Sequence, residues 1–270
     1  MHGADDVARR RAHMPEATHA VLDRRSLASD HRRLNELLRP GLRVLDVGCG
    51  TGAITRGAAA AVGAGGLAVG ADVSATLLGR ARAAHAAQAR LAFVVADAYA
   101  LPFRRAVDVV TAARMLQWLA RPLDALRAMS EAAAPGGAVL VLDFNHERAA
   151  WEPRPPESFR RFYAAFLGWR AGAGMDNAIA DRLESLFARA GLARVTVTAQ
   201  DETARRGEPD FEARAGIWAD VAASRGHQMV ADGAVTEAER SAAEADYRAW
   251  VGAEAREHVQ YLRAAAGRVC

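Results

Sequence analysis

The run Val44-Leu45-Asp46-Val47-Gly48-Cys49-Gly50-Thr51-Gly52 restricts this chain to few folds. An apolar stretch ends in an acid, and three alternating glycines follow before a helical pattern begins. Glycine has no Cβ, so it takes up positive φ and lets a ligand approach the backbone. A strand that ends in such a loop and feeds a helix N-terminus builds a nucleotide pocket at the edge of a parallel sheet. Asp46, set before the loop, narrows the choice of ligand. A carboxylate there repels a pyrophosphate and attracts a cation.

Strand and helix patterns alternate around this run. Apolar spacing predicts a helix over 18–39, stopped by Pro40-Gly41. Strands are expected at 42–47, 67–72, 91–96, 107–111 and 138–143, with helices at 51–62, 74–88 and 122–133 between them. The stretch Trp151-Glu152-Pro153-Arg154-Pro155-Pro156 reads as irregular, because proline fixes φ and lacks a donor. Helices over 157–170 and 176–190, a strand over 193–199, and helical stretches over 208–225 and 235–254 follow, with a closing strand from 258. This order predicts an α/β fold, a doubly wound, seven-stranded and mostly parallel Rossmann-like sheet with a helical cap. The expected divisions are an N-terminal helical segment or lid (1–40), the nucleotide-binding core (41–200), a helical cap insertion (201–257) and the final strand (258–270).

The chain has 270 residues, about half of them apolar, enough for one large domain with a small cap. Its basic residues are all arginine, and the net charge is only +3. The arginines are interspersed with acids, as on solvated helix faces, so no nucleic-acid partner is expected. No window reaches the length of a membrane helix, and the start lacks the apolar run of a signal peptide. Cys49 and Cys270 are the only cysteines and suggest no disulfide framework. A cytoplasmic location, no membrane association and a monomer or homodimer are the expectations.

The run 44–52, the acids Asp72 and Asp97 at the next two strand ends, Gln117-Trp118, and Pro135-Gly136-Gly137 together resemble the class I S-adenosylmethionine-dependent methyltransferases. Within that class the chain is most similar to the broad bacterial group that includes ubiquinone/menaquinone-biosynthesis enzymes and natural-product enzymes. The resemblance implies S-adenosylmethionine as cofactor, S-adenosylhomocysteine as product, and a small organic acceptor, aromatic or heterocyclic, methylated at O, N or C. Two other readings stay open. Gly48 to Ala53 also satisfies the G-x-G-x-x-[G/A] dinucleotide fingerprint, with Asp72 about 20 residues on as a ribose-binding acid. That would be an NAD(P)-dependent oxidoreductase. The third reading is a protein that binds S-adenosylmethionine and catalyses nothing.

At matching positions the resemblance implies roles for individual residues. Gly48, Cys49 and Gly50 form the cofactor loop, and Asp46 faces the amino-acid end of the cofactor. Asp72 accepts from the ribose hydroxyls, as an ionised carboxylate can. Val73 packs on the adenine, Asp97 accepts from its amino group, and the N–H of Ala98 donates to its ring. The backbone carbonyl of Arg114 faces the methionine arm. Arg24 or Arg25 could pair with the cofactor carboxylate. Gln117 and Trp118, with Tyr163 on the aromatic helix, are expected to bind the acceptor. Histidine suits proton removal near neutral pH, and His19 and His146 are the catalytic candidates. His13 has no context that singles it out.

The segment after the fourth strand lacks the [Asn/Asp]-Pro-Pro-aromatic sequence of adenine and cytosine N-methyltransferases. It also lacks the paired glutamates of the protein arginine methyltransferases. Asp143 and Asn145 are oxygen donors after the fifth strand, but residues 111–114 supply no partner, so no metal is expected.

Overall fold

A parallel sheet covered on both faces needs strands that are apolar on both sides. The central strands have this character: β1 (Arg43–Val47) is buried everywhere but at Arg43, and β4 (Val107–Ala113) is buried at most positions. The computed structural model describes residues 2–15 and 19–270, without the side chains of residues 2–5, 19 and 20. Among the described residues, four helices precede β1: α1 (His2–Ala12), α2 (His19–Asp23), α3 (Leu27–Asp30) and α4 (Arg32–Leu37). After β1 come α5 (Ala53–Val62), β2 (Leu67–Asp72), α6 (Ala75–Ala84) and β3 (Leu91–Val95). Then β4 leads through a 3-10 turn, Leu116–Trp118, into α7 (Pro122–Ala132) and β5 (Ala133–Glu152). The remainder is α8 (Glu157–Ala171), α9 (Ile179–Arg189), β6 (Ala193–Ala199), β7 (Glu202–Arg205), α10 (Phe211–Ala215), α11 (Ile217–Ala231), α12 (Glu237–Ala253) and β8 (Glu257–Arg268).

The strands form one sheet in the order β3-β2-β1-β4-β5-β8-β6, with β7 also paired to β8. β1 to β5 are mutually parallel, and β8 runs antiparallel between β5 and β6. The strand order reverses between β1 and β4. Such a switch point opens a crevice outside the carboxyl ends of the strands, where ligands bind.

One face of the sheet packs on α7 and α9 through Leu126, Met129, Leu183 and Phe187. The other packs on α4 and α5 through Leu34, Ile54, Ala58 and Val62. A separate aromatic core joins α8, α10, α11 and α12: Phe159, Phe162, Tyr163, Phe166, Trp169, Trp218, Tyr247 and Trp250 are buried together. The spacing of the five aromatics on α8 is that of one buried helix face.

Four features differ from the sequence expectation. The sheet has an eighth strand, β7, four residues long, at the start of the expected cap insertion and ahead of the helix expected over 208–225. The helix over 18–39 is three short helices. Ser26 breaks it: its side chain accepts from the N–H of Ser29, and its own N–H donates to Asp30. The fifth strand extends to Glu152, because β8 pairs with its far end at Ala150, Trp151 and Glu152 beyond a bulge over residues 146–149. The N-terminal helical segment expected over 1–40, in which only the helix over 18–39 was placed, also holds α1.

Candidate active site

The crevice at the switch point is a cavity of about 530 Å³. Its floor is the glycine loop. Gly48 has φ +74°, and a Cβ there would stand 2.4 Å from Met115 Cγ. Gly52, with φ +77°, opens α5 where a Cβ would meet Phe93 at 2.6 Å. The loop spends four of its N–H groups inside the protein. Gly48 and Cys49 donate to the carbonyl of Ala71 at 2.7 and 3.1 Å, Gly50 to Asp72 Oδ2 at 2.9 Å, and Gly52 to the carbonyl of Cys49 at 2.9 Å. No anion cradle is left at these four positions, as a pyrophosphate would require.

Three acids stand along the adjoining strand ends. Asp46, buried near the end of β1, accepts from Thr55 Oγ1 at 2.7 Å and is held up at about 7, chiefly by burial. Burial also raises Asp72, whose oxygens accept from the N–H groups of Gly50 and Ser74 at 2.9 Å each. Asp97 accepts from the N–H of Tyr99 at 3.0 Å and pairs with Arg9 of α1 at 2.7 Å. Val73, between Asp72 and the start of α6, is 66% exposed on the cavity rim. A carboxylate keeps further lone pairs when each oxygen accepts one bond, so Asp72 can still accept from a vicinal diol.

All nine residues expected at the cofactor, from Asp46 to Arg114, line this one cavity, and so does Trp118. The Arg114 backbone is left-handed, φ +58°. Its carbonyl accepts from Gln117 Nε2 at 3.2 Å, and its guanidinium donates to the carbonyl of Asp30 at 3.1 Å and pairs with Glu202 of β7. Thr51 Oγ1 is a buried orphan in the loop beside the cavity.

The other predicted residues lie elsewhere. Gln117, His146 and Tyr163 are buried behind Trp118 and do not line the cavity. Gln117 Oε1 accepts from Arg170 at 2.9 Å and lies 2.5 Å from His146 Nε2. Asp143 accepts from the N–H of Gln117 at 3.1 Å, and Tyr163 donates to the carbonyl of His146 at 2.7 Å. Burial, then the neighbouring Arg170, pushes His146 well below the ordinary histidine range. It is therefore neutral and donates from Nε2, without access to an acceptor's proton. Tyr163 joins the aromatic core for the same physical reason, the apolar face of α8. The side chain of His19 lies outside the described residues.

The cavity also holds residues to which the sequence reading gave no individual role, although it expected the segment around His13 and Met14 to fold over the cofactor loop. His13 and Met14, just past α1, line it, as do Tyr99 and Met115. Arg225 of α11 brings the end of α1 here, donating to the carbonyls of Arg11 at 2.8 Å and of Ala12 and His13 at 3.4 Å while covering the Trp118 ring at 3.9 Å. Only the eventual position of α1 could have marked His13. Among the described residues, no group of three or more His, Cys, Asp or Glu side chains could hold a metal ion, and no helix is long and apolar enough to cross a membrane.

Residues 44–137 match the protein family described as "Methyltransferase domain". Over 112 residues the chain is 45% identical to the ubiquinone/menaquinone biosynthesis C-methyltransferase UbiE of Ectopseudomonas mendocina, which covers 40% of this chain and 44% of that protein. It is 29% identical over 182 residues to the demethylmenaquinone methyltransferase of Lactococcus lactis, covering 62% of this chain and 71% of that one. The chain thus spans less than half the length of the first relative. In fold it is similar to a S-adenosylmethionine-dependent methyltransferase from Aquifex aeolicus, with a TM-score of 0.51, 15% identity and 89% of each chain covered. Residues 44–137 thus carry a methyltransferase domain, and the chain is similar to the class I S-adenosylmethionine-dependent methyltransferases of the UbiE-like type.

Proposed function

We propose that this protein binds S-adenosylmethionine in the switch-point cavity and transfers its methyl group to a small organic acceptor. The reading rests on one observation above all: three carboxylates on consecutive strand ends share one cavity with a glycine loop that spends four of its N–H groups internally. That chemistry suits a phosphate-free, cationic nucleoside and not a dinucleotide.

The cofactor supplies an activated methyl group on a sulfonium. The chain's own part is then to hold, align and desolvate. Asp72 takes the ribose hydroxyls, and exposed Val73 takes a face of the base. Asp97 and the Ala98 N–H read the base edge, with Arg9 giving way or sharing the carboxylate. Asp46 faces the cationic end. Trp118, Met14, Met115 and Leu119 give the remaining wall an apolar character suited to a ring-bearing acceptor. The names of the relatives favour carbon as the methylated atom.

Where an acceptor must lose a proton, His13 is the histidine in position, in place of His146. Transfer of a labelled methyl group to a panel of phenols, enols and ring amines tests the reading. Transfer to at least one class, reduced at least about tenfold in His13→Gln for acceptors that ionise, is expected. Cofactor binding with no transfer to any of them would favour a non-catalytic role.

A further inference from the structure

Arg114 lines the cavity with its backbone in the left-handed region, φ +58°. A residue with a Cβ stays in that region only where its surroundings over-determine it. Here the main chain and the side chain are both held. The N–H donates to the carbonyl of Leu142 at 2.7 Å, and the carbonyl accepts from Gln117 Nε2 at 3.2 Å. The buried guanidinium donates to the carbonyl of Asp30 at 3.1 Å and pairs through Nη2 with Glu202. Glu202 opens β7, the strand beyond the seven expected, and does not itself line the cavity. The chain just before it docks at the same point. Gln200 accepts from the N–H of Arg33 at 3.1 Å and donates to the carbonyl of Asp30 at 3.5 Å. The N-terminal helices, the end of β4 and the junction between β6 and β7 thus meet around one guanidinium.

Glu202 acts on a second cation as well. Arg25, between α2 and α3, lines the cavity and is in position for the carboxylate of the cofactor. Burial, then Arg114, lowers it to about 10, and of the acids that oppose this shift Glu202 contributes most. Removing the Glu202 carboxylate would leave two desolvated guanidinia repelling each other, and a buried charge that loses its partner is costly. Either the left-handed turn at Arg114 or the place of Arg25 on the wall would then relax. Resting on the methyltransferase reading above, we propose that Glu202 is a positioning residue for the amino-acid arm of S-adenosylmethionine: it pins Arg114 and offsets the repulsion between Arg114 and Arg25. It acts through those two residues and takes no part in bond making.

The test uses two probes, S-adenosylhomocysteine and the same nucleoside without its amino-acid arm, 5′-methylthioadenosine. Glu202→Gln keeps the shape of the side chain and removes its charge. Calorimetry is expected to show this variant binding S-adenosylhomocysteine about tenfold more weakly than wild type, with 5′-methylthioadenosine held within about twofold. The retained nucleoside also reports that the variant is folded. Arg114→Met is expected to show the same selective loss. The double variant should lose less than the product of the two single losses, because the pair acts as one unit. A general loosening of the fold would weaken both probes together.

Equal losses for the two probes in Glu202→Gln, or no loss for either, overturn the proposal while leaving the methyltransferase reading intact. So does a double variant whose losses simply multiply. Failure of wild-type protein to bind S-adenosylhomocysteine overturns both.

Discussion

Asp46 is the residue whose ionisation the fold works against. It is 3% exposed, and burial holds it at about 7. Because its folded value lies above its unfolded one, it binds more protons folded than unfolded between about pH 4 and 7, so its contribution to stability falls as pH rises through that window. A cation in the cavity favours the ionised form. Calorimetric affinity for S-adenosylmethionine is therefore expected to rise from about pH 5.5 to about pH 7.5, by at most tenfold per pH unit below the apparent pKa. Asp46→Asn should bind more weakly and lose this rise. At Gly48, both the positive φ and the 2.4 Å approach to Met115 forbid a Cβ. Gly48→Ala should lower stability by about 1–3 kcal/mol in denaturant titration and weaken the cofactor at least about tenfold. Both residues were legible, since an acid and a glycine at a strand end have few other uses. The acceptor residues were less so. Gln117, His146 and Tyr163 have the chemistry of a site, but burial turned that chemistry to a polar network of their own.

At the level of elements, the central strands were legible because burial on both faces leaves continuous apolar runs. The helix over 235–254 carried its own start signal. Thr236 and Glu239 form a capping box before α12. Helix α1 carried no such signal. Its described apolar side chains are few, and distant partners hold it: Arg9 pairs with Asp97, Arg11 with Asp232 at 2.8 Å, and Arg225 donates to its last carbonyls. Periodicity cannot report contacts made across 88 to 221 residues. The same dependence makes α1 the element most exposed to a single change. Arg225→Met is expected to speed amide exchange over residues 6–13 without matching loss in the central strands, and to raise the cofactor off-rate. Slow exchange in α1 after this change would show that Arg225 does not hold it.

For the molecule as a whole, the sheet and the aromatic core of the cap meet at a polar seam. Arg170, fully buried on α8, donates to Gln117 and Asn177 and lies over the Trp118 ring at 4.5 Å. The far end of β5, extended by β8, carries the sheet into the aromatic cap. The doubly wound sheet could be read from the alternation of strands and helices. The seam could not, because it joins residues from the turn after β4, from β5 and from α8 that only the packed cap brings together. The central claim concerns the cavity on the sheet side of this seam, and titration calorimetry of S-adenosylhomocysteine and of NAD into wild-type protein and Asp72→Ala tests it most directly. Removing a charged acceptor of two hydrogen bonds costs about 1.5–3 kcal/mol, so wild type is expected to bind the nucleoside and not NAD, and Asp72→Ala to bind it about ten- to a hundredfold more weakly. Binding of NAD in its place, or equal nucleoside affinity in the variant, would contradict the account.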